Sequence, residues 1–511
     1  MNAATAAPAR ATTTRNALPA MLIGLLIFAG GVTLPEAWMT YLGVLVFLAS
    51  HMLSGPAPRP EPGSRTEAAI RHRRLIRGAR HAAWAGRADA MAEPAAFAPT
   101  AIDDAPAAPA ASASAASRAY ADATSRPALR VRPIVPLHNG VELHSWFGGR
   151  PYMPSEIDWP ELDGKPALFI AQLSCPHIPA EIWEGRGPRF GWLLVFMSQV
   201  RHGKTRLIHI NRFGPERIPP GPVRYPRTSV TRDDIIELAT GRGGDIPRWP
   251  VEFTRPAPDE AGHHERAAKT KGDDNLAQRI LAELDFTDPR FQPFDWGSVM
   301  VLVEVIDNDL AWQHKVVSAL VETGSEDLRT RAFLDKLAAT LTQVDALKSE
   351  LLNAYDSGLP FDDQLRDLAL RGLGMLKVDS ATAGSSRDAP AMLSLLEHDQ
   401  IRRDYFRWFD HYARLVYTEA PDALPAEPRA LFEELWAWHA LHERGWIGGA
   451  VPATFPSACE EDGSAPVPIL RLQTSDLMGW SFGDQDEFGV FLDALALEQG
   501  DFSAAFGAIS N

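Results

Sequence analysis

Cysteine is nearly absent. The 511 residues hold two, Cys175 and Cys459. That is too few for a disulfide scaffold or a zinc site built from thiolates, and it suits a reducing compartment. Lysine is missing from the first 87 residues, whose ten basic side chains are all arginine. Against three glutamates these give that end a charge of about +7. The rest of a chain of formal charge -15 therefore carries about -22. An acidic body lacks the basic face that a phosphate backbone requires, so no nucleic-acid partner is expected. Familiar catalytic formulas are missing as well. There is no GxSxG elbow and no HExxH. GRGGD at 241–245 lacks the Lys-Ser/Thr of a phosphate loop. IGGA at 447–450 has neither a preceding strand pattern nor GxGxxG.

Charge is also missing from two early stretches, and there the absence is informative. Residues 18–34 and 37–53 are apolar runs of 17 residues each, separated by Pro35 and Glu36. Each is at the short end of what crosses a hydrocarbon core. Neither has the polar face that a buried soluble hairpin would need, and no small-x-small cleavage site marks the first run as a secretory signal. The expectation is a transmembrane helical hairpin over 18–53, with Trp38 and Tyr41 at the interface. Eight arginines follow between Arg59 and Arg87, whereas the turn has none. Positive charge stays inside, which puts the 1–17 end and the main domain on the cytoplasmic side of an inner membrane. The Arg-rich segment 54–87 has two readings, a helix contacting anionic lipid or a topology determinant only. Residues 88–128 are Ala, Pro and Ser with little else, a composition that buries too little surface to offset its ordering entropy. They read as a disordered linker.

The body, 129–511, opens on a stretch rich in Gly, Pro and aromatic residues. In HSWFGGRPYMPSEIDWPELDGKPALFIAQ, at 144–172, Gly148-Gly149 permits backbone angles closed to other residues. Pro151, Pro154, Pro160 and Pro166 exclude helix. Trp146, Phe147, Tyr152 and Trp159 supply apolar area. This predicts a compact loop pinned by its own aromatics. Strands are expected at 130–136, 167–173, 190–197, 207–210 and 251–253. From about 274 to 444 the period becomes helical. Leu334, Leu337, Leu341, Val344, Leu347 and Leu351 step by three or four, and 310–321, 400–417 and 428–443 read similarly. GLPFDDQ at 358–364 reads as a loop. The Leu334 stripe suits packing within the chain better than a coiled-coil dimer, because it covers fewer than three heptads.

FGGRPYMPSEIDWP, GKPALFIAQL and GWLLVFM, taken in order, resemble the opening of the YwqG-like family (DUF1963), a domain of unknown function. Gly148, Gly149, Pro151, Trp159, Pro160, Ala171 and Gln172 stand on its positions. The far end resembles the family's close at 467–473, Gly479-Trp480, Gly483-Asp484, 488–492 and Asp501-Phe502-Ser503. The resemblance implies a mostly antiparallel domain closed by its two ends; the helical stretch at about 274–444 departs from the family's pattern and reads as an insertion, which makes the body α+β. It carries no activity with it.

Candidate sites are few. Gly148, Gly149, Gln172, Gly483 and Asp484 are expected to edge a pocket. His439, His442 and Glu443 in WHALHE share one side of a helix and are the candidate metal ligands, though two histidines bordering a core are the simpler reading. Asp484, Asp486 and Glu487 resemble an Asx turn more than a calcium loop. Ser145 and Ser174 have histidines near in sequence, which says nothing of space. No catalytic residue and no cofactor is assigned. The functional expectation is a membrane-tethered binding or scaffold module with a protein or small-molecule partner. The alternative is a metal-assisted hydrolase or another unfamiliar enzyme.

Overall fold

A computed structural model describes residues 126–511 apart from 202, 226–234, 241–245, 257–274, 323–327, 380–391, 444, 453, 456–465, 484–485 and 511. The expected hairpin at 18–53, the segments flanking it and the linker as far as residue 125 lie outside the described residues. No helix among the described residues is long and apolar enough to cross a membrane.

The apolar runs of the body form strands of one sheet. In chain order the strands are β1 (Ala128–Pro133), β2 (Trp146–Phe147), β3 (Glu161–Leu162), β4 (Lys165–Pro166), β5 (Leu168–Ser174), β6 (Trp192–Met197), β7 (Thr205–Ile210), β8 (Trp249–Thr254), β9 (Lys377–Asp379), β10 (Met392–Ser394), β11 (Gly445–Gly448), β12 (Val467–Gln473), β13 (Glu487–Leu492) and β14 (Phe506–Ile509). Ten of them make a sheet in the order β14-β13-β12-β11-β1-β8-β2-β5-β6-β7, with every pairing antiparallel. Its two edges come together. A Cβ on Gly507, in β14, would strike Thr205 of β7 and the carbonyl of Gly203, so only glycine allows this approach. The sheet is thus nearly closed, which protects edges that would otherwise invite pairing with another chain.

β1 sits mid-sheet between β8 from the first half and β11 from the second. Between β8 and β11 the chain makes helices. They follow α1 (Ile235–Thr240) and comprise α2 (Asn275–Glu283), α3 (Trp296–Glu322), α4 (Leu328–Asp356), α5 (Asp363–Met375), α6 (Asp399–Glu419) and α7 (Ala426–His442); α8 (Ala494–Gln499) comes later, after β13. The expected α+β class holds at that level. α3 is apolar all round over residues 299–303, and Val299, Val301, Leu302, Val303 and Ile306 are all buried, as befits a helix inside a core. Leu337, Val344 and Leu351 of the α4 stripe join the same core, so the stripe is used within the chain.

Three sequence readings are corrected. GLPFDDQ does not stay a loop: Asp362 caps α5, its carboxylate accepting from Leu365 N at 2.9 Å, and Asp363 and Gln364 open the helix. IGGA does follow a strand, because Ile447 and Gly448 are the last residues of β11, which pairs with β1 and β12. The opening strand begins earlier and ends earlier than 130–136.

The opening stretch behaves as its composition suggests. Trp146, Met153, Trp159 and Leu162 close over the second face of β5 and β6, against Phe169, Leu194 and Phe196. Trp159 sets its ring edge-on to Phe196 and donates its indole N–H to Ala167 O at 3.0 Å. Each fully buried phenylalanine here contributes about 1.5–3 kcal/mol through its apolar surface.

Candidate functional site

Gly148 and Gly149 both have φ of 61°. A Cβ on Gly148 would drive into the carbonyl of Pro247 and come within 2.8 Å of Met478; one on Gly149 would strike Arg248. The backbone N–H of Gly148 donates to Ile170 O at 2.8 Å, and that of Gly149 to Ile246 O at 3.2 Å. Only glycine offers both the left-handed angle and the missing volume. These residues make a close backbone approach. Next to them Phe147 packs on Trp480 with ring centroids 5.9 Å apart. The opening and closing stretches of the body therefore meet, at Phe147–Gly148 against Met478–Trp480.

Gln172 was the expected ligand-facing residue of this group. It is 0% exposed. Its amide is spent on one backbone unit: Tyr152 N–H donates to Oε1 at 3.0 Å, and Nε2 donates to Tyr152 O at 3.4 Å. The side chain stands in for a strand neighbour of Tyr152. Gly483 is exposed and left-handed, with φ of 52°, close to Asp486. Asp484 lies outside the described residues. Among the four that are described, Gly148 and Gly149 follow β2, Gln172 pairs with Trp146 across β2 and β5, and Gly483 lies in the turn between β12 and β13.

The WHALHE triplet divides. His439 and Glu443, one helical turn apart at the end of α7, pair at 2.7 Å through Nδ1 and Oε1. His442 leaves the group. It is exposed, donates its Nδ1–H to Trp438 O at 2.7 Å, and stacks on the Trp438 ring. A third member, an acid, comes instead from the turn after β12. One ligand atom each from His439, Glu443 and Asp476 lies within 4.8 Å of the others. Nothing in the sequence places Asp476 beside α7, since the pairing of β11 with β12 does that.

Glu443 is the centre of a dense knot. Its carboxylate accepts from His439, the Ser475 hydroxyl, Asp476 N at 2.9 Å and Leu477 N at 3.2 Å. Below it Arg414 of α6 donates to the carbonyls of Asp476 and Leu477 and pairs with Asp410 at 2.7 Å. Asp410 also takes the Trp436 indole N–H at 2.7 Å. Burial opposes a charged imidazole at His439, but Glu443, with Asp476 and Asp410 beyond it, prevails and raises its pKa. Burial likewise opposes the Glu443 carboxylate, and His439, Ser475 and the Leu477 N–H prevail to lower its pKa. The pair is a half-buried ion pair with its acceptor lone pairs filled. A divalent cation seated by His439, Glu443 and Asp476 would have to draw Glu443 away from those donors, because zinc ligands sit at about 2.0–2.2 Å.

Sequence proximity did prove spatial at one serine. Ser174 Oγ lies 2.7 Å from His177 Nδ1, and Ser145 Oγ accepts from Ser174 N at 2.9 Å. His144 stacks beside His177 with centroids 4.5 Å apart and pairs with Glu142 at 2.9 Å. Burial first, and then His144, lowers the His177 pKa, keeping that ring neutral. The order Glu-His-His-Ser resembles a nucleophile with its base, but Ser174 is 2% exposed, so its hydroxyl is enclosed. The neighbouring Cys175 thiol is pushed up to about 12 by burial, so it is inert.

Residues 145–215 match the family model for a domain of unknown function, DUF1963. The match runs from β2 through β7 and takes in the glycine pair, Gln172 and Ser174. The stretch at 467–503, read above as the family's close, lies outside it. No curated protein matches the chain.

Proposed function

We propose that this chain is a membrane-tethered cytoplasmic binding or scaffold module. The tether is the apolar pair 18–34 and 37–53 with its arginines, and the acidic body is what it displays near the membrane. The observation that carries the binding reading is the state of the candidate reactive groups. Glu443 has its acceptors filled, Gln172 is spent on Tyr152, and Ser174 is enclosed. Side chains held this way position backbone; they do not wait for substrate. Crosslinking the full chain in its native membranes tests the reading, and a partner recovered in stoichiometric yield is the expected result. A reporter fused after Arg87 tests the orientation, with periplasmic activity as the outcome that would sink it.

One observation favours a metal-assisted enzyme instead, the approach of His439, Glu443 and Asp476. Metal analysis of the purified full chain separates the two readings. Zinc bound one per chain and lost on His439→Ala would replace the binding reading with the enzymatic one.

A further inference from the structure

Arg471 is the most deeply buried charge in the described structure, at 1% exposure. It lies in β12, and the strand registers place it in a cross-sheet row. Arg130 of β1 faces Trp446 of β11, Trp446 faces Arg471, and Arg471 faces Gly489 of β13. Directly paired residues on antiparallel strands point to the same side. The row therefore shares one face. The residues flanking it, Leu129, Val131, Ile447, Leu470, Leu472, Phe488 and Val490, belong to the main core. A Cβ on Gly489 would come within 2.5 Å of the Phe491 ring and 3.1 Å of Phe455, so two aromatics wall the row at Arg471.

The guanidinium is incompletely served. Its Nη1 lies 3.8 Å from Glu487 Oε2, outside hydrogen-bond reach, and Glu487 Oε1 accepts instead from Gln473 at 3.1 Å. Nε and Nη2 are both buried and have no hydrogen-bond partner among the described residues. These two nitrogens form the side-on edge of the guanidinium, whose parallel N–H bonds match two oxygens of a carboxylate or phosphate. A buried charge with two unfilled donors is costly, and such a group calls for an ion or water that completes it. Arg130, two strands away and also buried, adds a second positive charge to the same face. The aromatic walls exclude water and strengthen the attraction for an anion.

We propose that the β12 face around Arg471 is a binding site for a small oxyanion, held bidentately by Nε and Nη2 of Arg471. The site stands on the sheet alone and does not depend on the tethering or scaffold reading. Carboxylate and phosphate share the chemistry, and the experiment separates them. The full-length protein is heated in rising concentrations of phosphate, acetate or chloride at constant ionic strength. Wild type is expected to gain melting temperature saturably with phosphate or acetate, and not with chloride; whichever anion saturates identifies the class. Arg471→Lys keeps the charge and loses the fork, so the apparent affinity falls about tenfold or more. Arg471→Met removes the saturable response while keeping the volume of the side chain. Indistinguishable curves for the three salts overturn the proposal, and so does a saturable response that survives either substitution unchanged. Should neither variant fold, the wild-type curves still decide whether an oxyanion is bound. A crystal grown in the saturating anion then decides whether it sits on the Arg471 fork or elsewhere.

Discussion

Glu443, with 15% of its side chain exposed, and Arg471, with 2%, are both charged and both attached to the second half of the sheet, yet their surroundings are opposite. Glu443 receives a histidine, a hydroxyl and two backbone N–H groups. Arg471 is offered one carboxylate, at 3.8 Å from one nitrogen, and two of its donors are unfilled. Burial alone does not mark a functional group. What separates them is the match between a group's bonding capacity and what the fold supplies. A filled carboxylate is holding the chain together, and an unfilled fork is prepared for something else.

The comparison breaks most readily at Glu443. Glu443→Ala strands the largely enclosed His439 charge and frees Ser475 and the 476–477 amides at once, so it should cost about 3–5 kcal/mol in urea unfolding. A loss under about 1 kcal/mol would mean that the knot is solvated and that its carboxylate is available to a metal after all.

Much of this difference was invisible in the sequence. The strands at 167–173, 190–197 and 467–473 were legible because an apolar run bounded by turn residues has few other uses. The helical stripe at 334–351 was legible from its spacing. β2 is two residues long, and β11 is Gly-Trp-Ile-Gly, so neither carries a periodic signal; they are strands because their neighbours pair with them. α5 was concealed by the Gly and Pro ahead of it, although Asp362 before Leu365, Ala369 and Leu373 was a readable cap and stripe. Helical spacing correctly joined His439 to Glu443, but it also drew in His442, which the helix end turns outward. Asp476 and the Arg471 row depend on strand register, which no local pattern specifies.

Arg471→Met should act in the opposite direction from Glu443→Ala. In buffer without phosphate or carboxylate it should stabilise the fold by about 1–4 kcal/mol, as when a poorly paired buried charge gives way to an apolar side chain of similar length. Calorimetry or urea unfolding reads the sign directly. A destabilisation in anion-free buffer would place Arg471 with Glu443, as a group whose bonding is already complete.

Gln172 is a neutral counterpart of Glu443, a buried side chain spent on backbone. Gln172→Leu leaves the Tyr152 N–H and C=O without their partner and should cost about 1–3 kcal/mol. A smaller loss, within about 0.5 kcal/mol, would show that the Tyr152 backbone finds water, and would reopen the pocket edge expected at the glycine pair.

The smallest effect is the pH dependence of the knot, and its sign is fixed by the two shifts. His439 has a folded pKa above its ordinary 6.5, so on that account stability is complete below 6.5 and is lost as pH rises through the raised value. Glu443 has a folded pKa below its ordinary 4.5, so its contribution is complete above 4.5 and is lost as pH falls through the lowered value. The pair therefore stabilises most between 4.5 and 6.5. The stability difference between wild type and His439→Gln, followed by urea unfolding from about pH 4 to 9, should be largest in that window and shrink on the alkaline side. A difference that stays level through neutrality would mean a neutral imidazole at His439. Glu443 would then be held by its backbone and hydroxyl donors alone, and the charge on the histidine would no longer belong to what fills it.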